Sequence, residues 1–182
     1  MTTLTLAERI TLIDGALAEF PHAFGGALAL AYYADPRATV DIDVNIFVPT
    51  SEYKRVATKL AVMGVEADTP QSLELVERDG QVRVFWDETP IDMFFSYDAF
   101  HDAAAAARRT VPFANAAIQV LSPEHLMVCK VVFNRPKDWI DLDAMLASGV
   151  VIDPGEVIRW VTRIVGDEDT RYTRVVALLT HR

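Results

Sequence analysis

Apolar and polar residues alternate through Val40-Asp41-Ile42-Asp43-Val44-Asn45-Ile46-Phe47-Val48, a period of two that predicts a strand with one buried face. The apolar face, Val40, Ile42, Val44, Ile46 and Val48, is long enough to place this strand in the middle of a sheet. The same period recurs in Leu73-Glu74-Leu75-Val76-Glu77-Arg78, Gln81-Val82-Arg83-Val84-Phe85-Trp86 and Pro90-Ile91-Asp92-Met93-Phe94-Phe95. Asp79-Gly80 between the first two predicts a hairpin, Asp87-Glu88-Thr89-Pro90 a second turn, and Ile118 to Leu121 a short extended piece.

Elsewhere the spacing is helical. Leu6, Ile10, Ile13, Leu17 and Phe20 recur every three to four residues and predict a helix over 6–19. A short apolar helix, 27–33, follows Gly25-Gly26. Ser51 as N-cap and Gly64 as terminator bracket another through Val62. Residues 98–109 are alanine-rich and helical, and Ser122-Pro123-Glu124 is a strong helix start. Asn134-Arg135-Pro136 then breaks the chain before helices over 137–146, 154–165 and 168–179. The expectation is an α+β fold: a mixed sheet, antiparallel in large part, flanked by helices, with a core over 1–121. A helical C-terminal part, 122–182, is expected to share its cleft.

With 182 residues, 51% of them hydrophobic, the chain can bury a substantial core. Its formal net charge of −9 argues against broad binding to a phosphate backbone. The basic clusters at Lys54, Arg55 and Lys59, at Arg108-Arg109, and at Arg159, Arg163, Arg171 and Arg174 suit solvated helix faces. The single cysteine, Cys129, excludes an internal disulfide and suits a reducing compartment. Met1 to Arg9 lacks the basic-then-apolar pattern of a leader, and no apolar run is long enough to cross a bilayer. A cytoplasmic protein with no membrane partner is expected.

The chemistry begins with Asp41 and Asp43. Two residues apart on a strand, both carboxylates project from one side. Like charges so close are costly unless a cation lies between them, and a divalent metal is the usual answer. Asp92, on another alternating strand, supplies a third acid. Shared carboxylates holding two Mg²⁺ ions are the common apparatus of phosphoryl and nucleotidyl transfer, and the third can take the nucleophile's proton. Gly25-Gly26 permits positive φ and a close backbone approach to phosphate, though such a pair is also an ordinary tight turn. Arg37 and Thr39 stand ready to add a guanidinium and a hydroxyl. Lys130 lies in an otherwise apolar run, Leu126 to Phe133, so it either snorkels to solvent or meets an anion such as triphosphate. Asp138 and Asp141 share a helix face, where acids also suit a helix N-terminus. His125 and Cys129 are too few for a zinc site, and Trp86, Trp139 and Trp160 suit the core.

Gly25-Gly26, Arg37-x-Thr39-x-Asp41-Ile42-Asp43 and Ile91-Asp92 resemble the nucleotidyltransferase superfamily that includes DNA polymerase beta. Lys130 followed by Arg135-Pro136-Lys137-Asp138-x-x-Asp141-Leu142 is similar to its AbiEii-type branch, the toxins of two-gene toxin–antitoxin and abortive-infection systems. The resemblance covers roughly Phe24 to Leu146. It implies a nucleotidyltransferase fold, with Asp41, Asp43 and Asp92 as metal ligands. Gly25, Gly26, Arg37, Thr39 and Lys130 would hold the triphosphate, and Asp138 would complete the site. The superfamily usually has Gly-Ser at the turn, whereas a second glycine stands here. The implied activity moves NMP from an NTP to a hydroxyl of tRNA or protein, with Mg²⁺ as cofactor and a cognate antitoxin as partner. The alternatives are a small-molecule acceptor, as in aminoglycoside nucleotidyltransferases, and a non-catalytic nucleotide-binding module.

Overall fold

The strand that opens on Ile42-Asp43 lies inside the sheet because its neighbours bond to it on both edges. A computed structural model describes residues 4–180, so the first three residues of the N-terminal run lie outside the described residues. The chain forms two compact units, one of residues up to Leu28 with Ala38–Leu121, the other of Ala29–Arg37 with the chain from Ser122 onward.

The first unit contains the whole sheet. Its strands are β1 (His22–Phe24), β2 (Ile42–Pro49), β3 (Gln81–Trp86), β4 (Thr89–Ser96), β5 (Arg109–Phe113) and β6 (Ala116–Val120). Their order is β3-β4-β2-β1-β6-β5. β2 runs parallel to β4 and antiparallel to β1, and β1 runs parallel to β6. The two hairpins, β3–β4 and β5–β6, are antiparallel, so the sheet is mixed. Ile42, Val44 and Ile46 of β2 and Ile91, Met93 and Phe95 of β4 are buried on one face.

Helix α1 (Leu6–Ala16) starts on a capping box in which Thr5 Oγ1 accepts from the Glu8 N–H and Glu8 accepts from the Thr5 N–H. A 3-10 turn, Thr50–Glu52, leads into α3 (Tyr53–Ala61), so Ser51 sits inside the turn rather than capping the helix. Between α1 and α3 in sequence, α2 (Gly26–Leu30) carries the chain from the first unit into the second. α5 (Ala99–Ala107) is capped by Asp98, whose carboxylate accepts from the Phe100 N–H at 2.8 Å.

Two features differ from the sequence expectation. Val40 is 72% exposed and β2 begins at Ile42, so the buried face is shorter than the alternation suggests. More substantially, Leu73 to Arg78 belongs to a helix, α4 (Pro70–Asp79), not to a strand. Thr69 caps it by accepting from the Ser72 N–H, and Pro70 occupies its first position. The buried residues are Ser72 and Val76, four apart, while Leu73 is exposed. Asp79-Gly80 therefore ends a helix: Gly80 has φ of +68° and its N–H donates to the Val76 carbonyl. The hairpin turn lies at Asp87-Glu88, where Trp86 pairs with Thr89.

The second unit is helical: α6 (Pro123–Phe133), α7 (Pro136–Ala147), α8 (Pro154–Val165) and α9 (Thr170–Thr180). Ser122 caps α6, and Asn134 ends it with φ of +56° while its side chain accepts from the Trp139 indole N–H at 2.7 Å. Leu126, Met127, Val128 and Val131 of α6 are buried, as are Leu142, Met145, Val157, Trp160, Val161 and Val175 of the other three helices. No helix among the described residues is long and apolar enough to cross a membrane.

Candidate active site

Gly25 and Gly26 turn the chain from β1 into α2, and both are tied to Asp43. The Gly25 N–H donates to the Asp43 carbonyl at 2.9 Å, continuing the β1–β2 pairing. Gly26 has φ of +52°, and a Cβ on it would overlap the Asp43 carboxylate. A serine there would collide with the Asp43 carboxylate, so in this conformation the position requires glycine.

Strand register then sets the acids in a row. Asp43 of β2 pairs with Asp92 of β4, and Asp92 pairs with Arg83 of β3. The strands lie about 4.8 Å apart, so the three side chains stand side by side on one face. It is the face opposite Ile42, Val44, Ile91, Met93, Val82 and Val84. Arg83 grips Asp92 with both arms, Nε to Oδ1 and Nη2 to Oδ2, each at 2.7 Å. Its Nη2 also lies 3.9 Å from Asp41 Oδ2. The hydrogen bonds to Asp92, then the charges of Asp92, Asp41 and Asp43, push the guanidinium pKa upward, keeping Arg83 cationic. Asp41 itself precedes β2. Its N–H donates to Thr39 Oγ1 at 3.2 Å, so Thr39 shapes the entry to the strand.

Among the described residues no group of three or more His, Cys, Asp or Glu side chains converges as a metal cage. The donors in this row are carboxylate oxygens, the ligands a hard cation such as Mg²⁺ prefers, and their chemistry fits that ion. Here the countercharge comes from Arg83.

A second charged cluster lies within the helical unit. Asp141 of α7 accepts from Lys130 Nζ at 2.6 Å and from Arg37 Nε and Nη2 at 3.0 and 3.1 Å. Lys130 and Asp141 are 4% and 5% exposed, while Arg37 is more open. Burial pulls the Asp141 carboxyl upward, but hydrogen bonds from Arg37 and Lys130 outweigh it and hold the pKa below the usual value. Two cations on one carboxylate leave the cluster positive. Asp138 is differently engaged: wholly buried, it accepts from the Arg135 N–H at 3.0 Å and from its Nε and Nη2 at 2.7 and 3.0 Å. That is the work of a helix cap at the start of α7.

The first unit thus brings together Gly25, Gly26, Thr39, Asp41, Asp43 and Asp92, and the second brings together Arg37, Lys130 and Asp141. Two roles escaped the sequence. Asp141, which suited a helix N-terminus, is the anchor of Lys130 and Arg37. Arg83 had no local signal, because only the register opposite Asp92 gives it a partner.

Solved structures share this fold. A solution structure of the antibiotic-resistance factor ANT(2'')-Ia is 15% identical, with 97% of each chain covered and a TM-score of 0.61. A crystal structure of ANT(2")-Ia in complex with adenylyl-2"-tobramycin is 14% identical over 97% of this chain and 99% of that one, with a TM-score of 0.56. An antigenic nucleotidyltransferase-like protein from Paracoccidioides brasiliensis is 15% identical over 96% and 86%, with a TM-score of 0.53. No curated protein matches in sequence. Residues 16–174 match the family described as nucleotidyl transferase AbiEii toxin, type IV TA system.

Proposed function

Because the chain belongs to the AbiEii nucleotidyltransferase toxin family and is a nucleotidyltransferase, we propose that it moves NMP from an NTP to a hydroxyl of tRNA or protein. It would do so with Mg²⁺, in the cytoplasm, as the toxin partnered by a cognate antitoxin. The observation that carries this reading is the Asp43–Asp92 pairing on adjacent strands, with Gly26 closed over the Asp43 carboxylate.

In this reading Asp41, Asp43 and Asp92 would hold Mg²⁺, which would supply positive charge to the triphosphate and acidify the acceptor hydroxyl. The hydroxyl oxygen attacks the α-phosphorus and the bond to the bridging oxygen of pyrophosphate breaks. Asp92 takes the hydroxyl proton and pyrophosphate leaves. Gly25 and Gly26 let the backbone approach the triphosphate closely, and Thr39 fixes Asp41. The positive Arg37–Lys130–Asp141 cluster has the charge to meet phosphate oxygens, Arg37 being its accessible member. Asp138 contributes by setting the start of α7, the helix that carries Asp141.

A second acceptor class has its own support. The first unit carries eight Lys and Arg against sixteen Asp and Glu, whereas the second is nearly balanced. An acidic unit around the carboxylates suits a cationic small molecule such as an aminoglycoside. The test is incubation of the pure protein with each α-labelled NTP, Mg²⁺ and, in separate reactions, total tRNA, protein extract or an aminoglycoside. Label moved by wild type and not by Asp41→Ala/Asp43→Ala identifies the acceptor class. Transfer to none of the three would overturn the reading.

A further inference from the structure

Arg83 has no place in the reaction just described, yet it grips the carboxylate that would take the proton. Its polar partners are acids of the cluster: Asp92 through both arms and Asp41 at 3.9 Å. The register makes this a built feature, since Arg83 lies directly across from Asp92, which lies directly across from Asp43. The arginine side chain is 51% exposed, against 20% for Asp92, so it has open solvent to swing into when released.

We propose that Arg83 is a resident counter-cation: its guanidinium partly offsets the charge of the carboxylate row in the metal-free protein and must release Asp92 before the row takes a divalent ion. The inference rests on the reading that Asp41, Asp43 and Asp92 hold the metal. Its physical basis is competition for the same oxygens. A bidentate fork occupies both Asp92 oxygens along their best lone-pair directions. A divalent ion also meets the repulsion of the arginine charge while that fork stays closed. Arg83 is therefore a positioning residue that sets the divalent concentration at which the site forms. It also keeps the acids from repelling one another while the protein is unloaded. The fork matters as well as the charge. A lysine at this position keeps the charge but holds Asp92 through one point instead of two.

Calorimetric titration of the full-length protein with Mn²⁺ and with Mg²⁺ tests this without any turnover. Wild type is compared with Arg83→Gln, Arg83→Lys and Arg78→Gln. Arg78 pairs with Asp79, which lies outside the row, so Arg78→Gln removes the same charge elsewhere. Arg83→Gln is expected to bind the ions at least tenfold more tightly than wild type, and Arg83→Lys severalfold more tightly. Arg78→Gln should stay within twofold of wild type. Metal-free Arg83→Gln should also melt at lower temperature and recover more of its melting temperature on adding Mn²⁺ than wild type does. Arg83→Lys keeps the test intact if the Gln variant fails to fold. Unchanged affinity in both Arg83 variants, or equal tightening in Arg78→Gln, would overturn the proposal. If binding is unchanged by Arg83 but lost in Asp41→Ala/Asp43→Ala, the metal reading stands and the Arg83 proposal fails. If wild type binds no divalent ion, both fall.

Discussion

Gly26 and Asp43 occupy one another's space: the backbone of the first, at φ of +52°, leaves a gap where its Cβ would be, and the carboxylate of the second fills it. Gly26→Ala is therefore expected to displace Asp43 and to strain the turn. The strain costs about 1–3 kcal/mol of stability, and the misplaced carboxylate lowers kcat by about 100-fold. Denaturant melts and steady-state kinetics on the same preparation separate the two effects. Gly25→Ala is the milder change, because its nearest neighbour would be Asn45 Nδ2 at 3.1 Å and its φ is ordinary.

Asp141 is the shared carboxylate partner of two cations, one of them buried. Asp141→Asn leaves Lys130 charged and without a carboxylate in a site where both residues are almost wholly buried. Breaking such a pair from one side costs about 3–5 kcal/mol. Urea unfolding should show a lower midpoint with an unchanged slope. Asp141→Asn with Lys130→Met, which removes both charges, should recover part of the loss.

The same carboxyl predicts a pH effect of defined sign. Its pKa is lower in the folded protein than unfolded, so Asp141 adds stability that is complete above its ordinary value of about 3.9. That stability is lost as pH falls through the lower folded value. Asp169, held down to about 2 by the side chain and backbone N–H of Arg171, acts in the same direction between about 3.9 and about 2. Thermal melts should be flat in these contributions from neutrality to about pH 5 and decline below it. Asp141→Asn should flatten the acid side of the curve.

Gly80 ends α4 in the left-handed region, and a Cβ there would press on the Tyr97 ring at 2.7 Å. Gly80→Ala should cost about 1–3 kcal/mol, read as a shift in melting temperature. Tyr97→Ala with Gly80→Ala should relieve the collision but not the strained φ, so only part of the loss returns.

What the sequence made visible follows the range of the forces involved. The alternation at Ile42–Asp43–Val44 is local, and it located both the strand and two of its acids. Helix α8 is bounded as the sequence indicates because Asp153 and Pro154 start it and Gly166 ends it with chemistry visible in a few residues. The alternation at Leu73 to Arg78 misled because Leu73 is an exposed apolar residue on a helix, and the period of two was accidental. β1 is only three residues long, and β5 is largely exposed with Pro112 inside it, so neither carries a strong strand pattern. Arg83 and Asp141 were hidden for another reason. Their partners are distant in the chain or across a strand, and a residue's neighbour in space has no trace in its own flanking sequence.

The backbone of Asp43 has a consequence for how the protein opens. Its carbonyl receives the Gly25 N–H, while its strand is bonded on one edge to β1 and on the other to β4. Asp43 is therefore not released by fraying of an edge strand, because its own strand is paired on both sides. Amide hydrogens of Gly25 and Val44 should exchange with solvent deuterium only on global unfolding, while those of β5 exchange far sooner. Loss of the site and loss of the fold would then be one event.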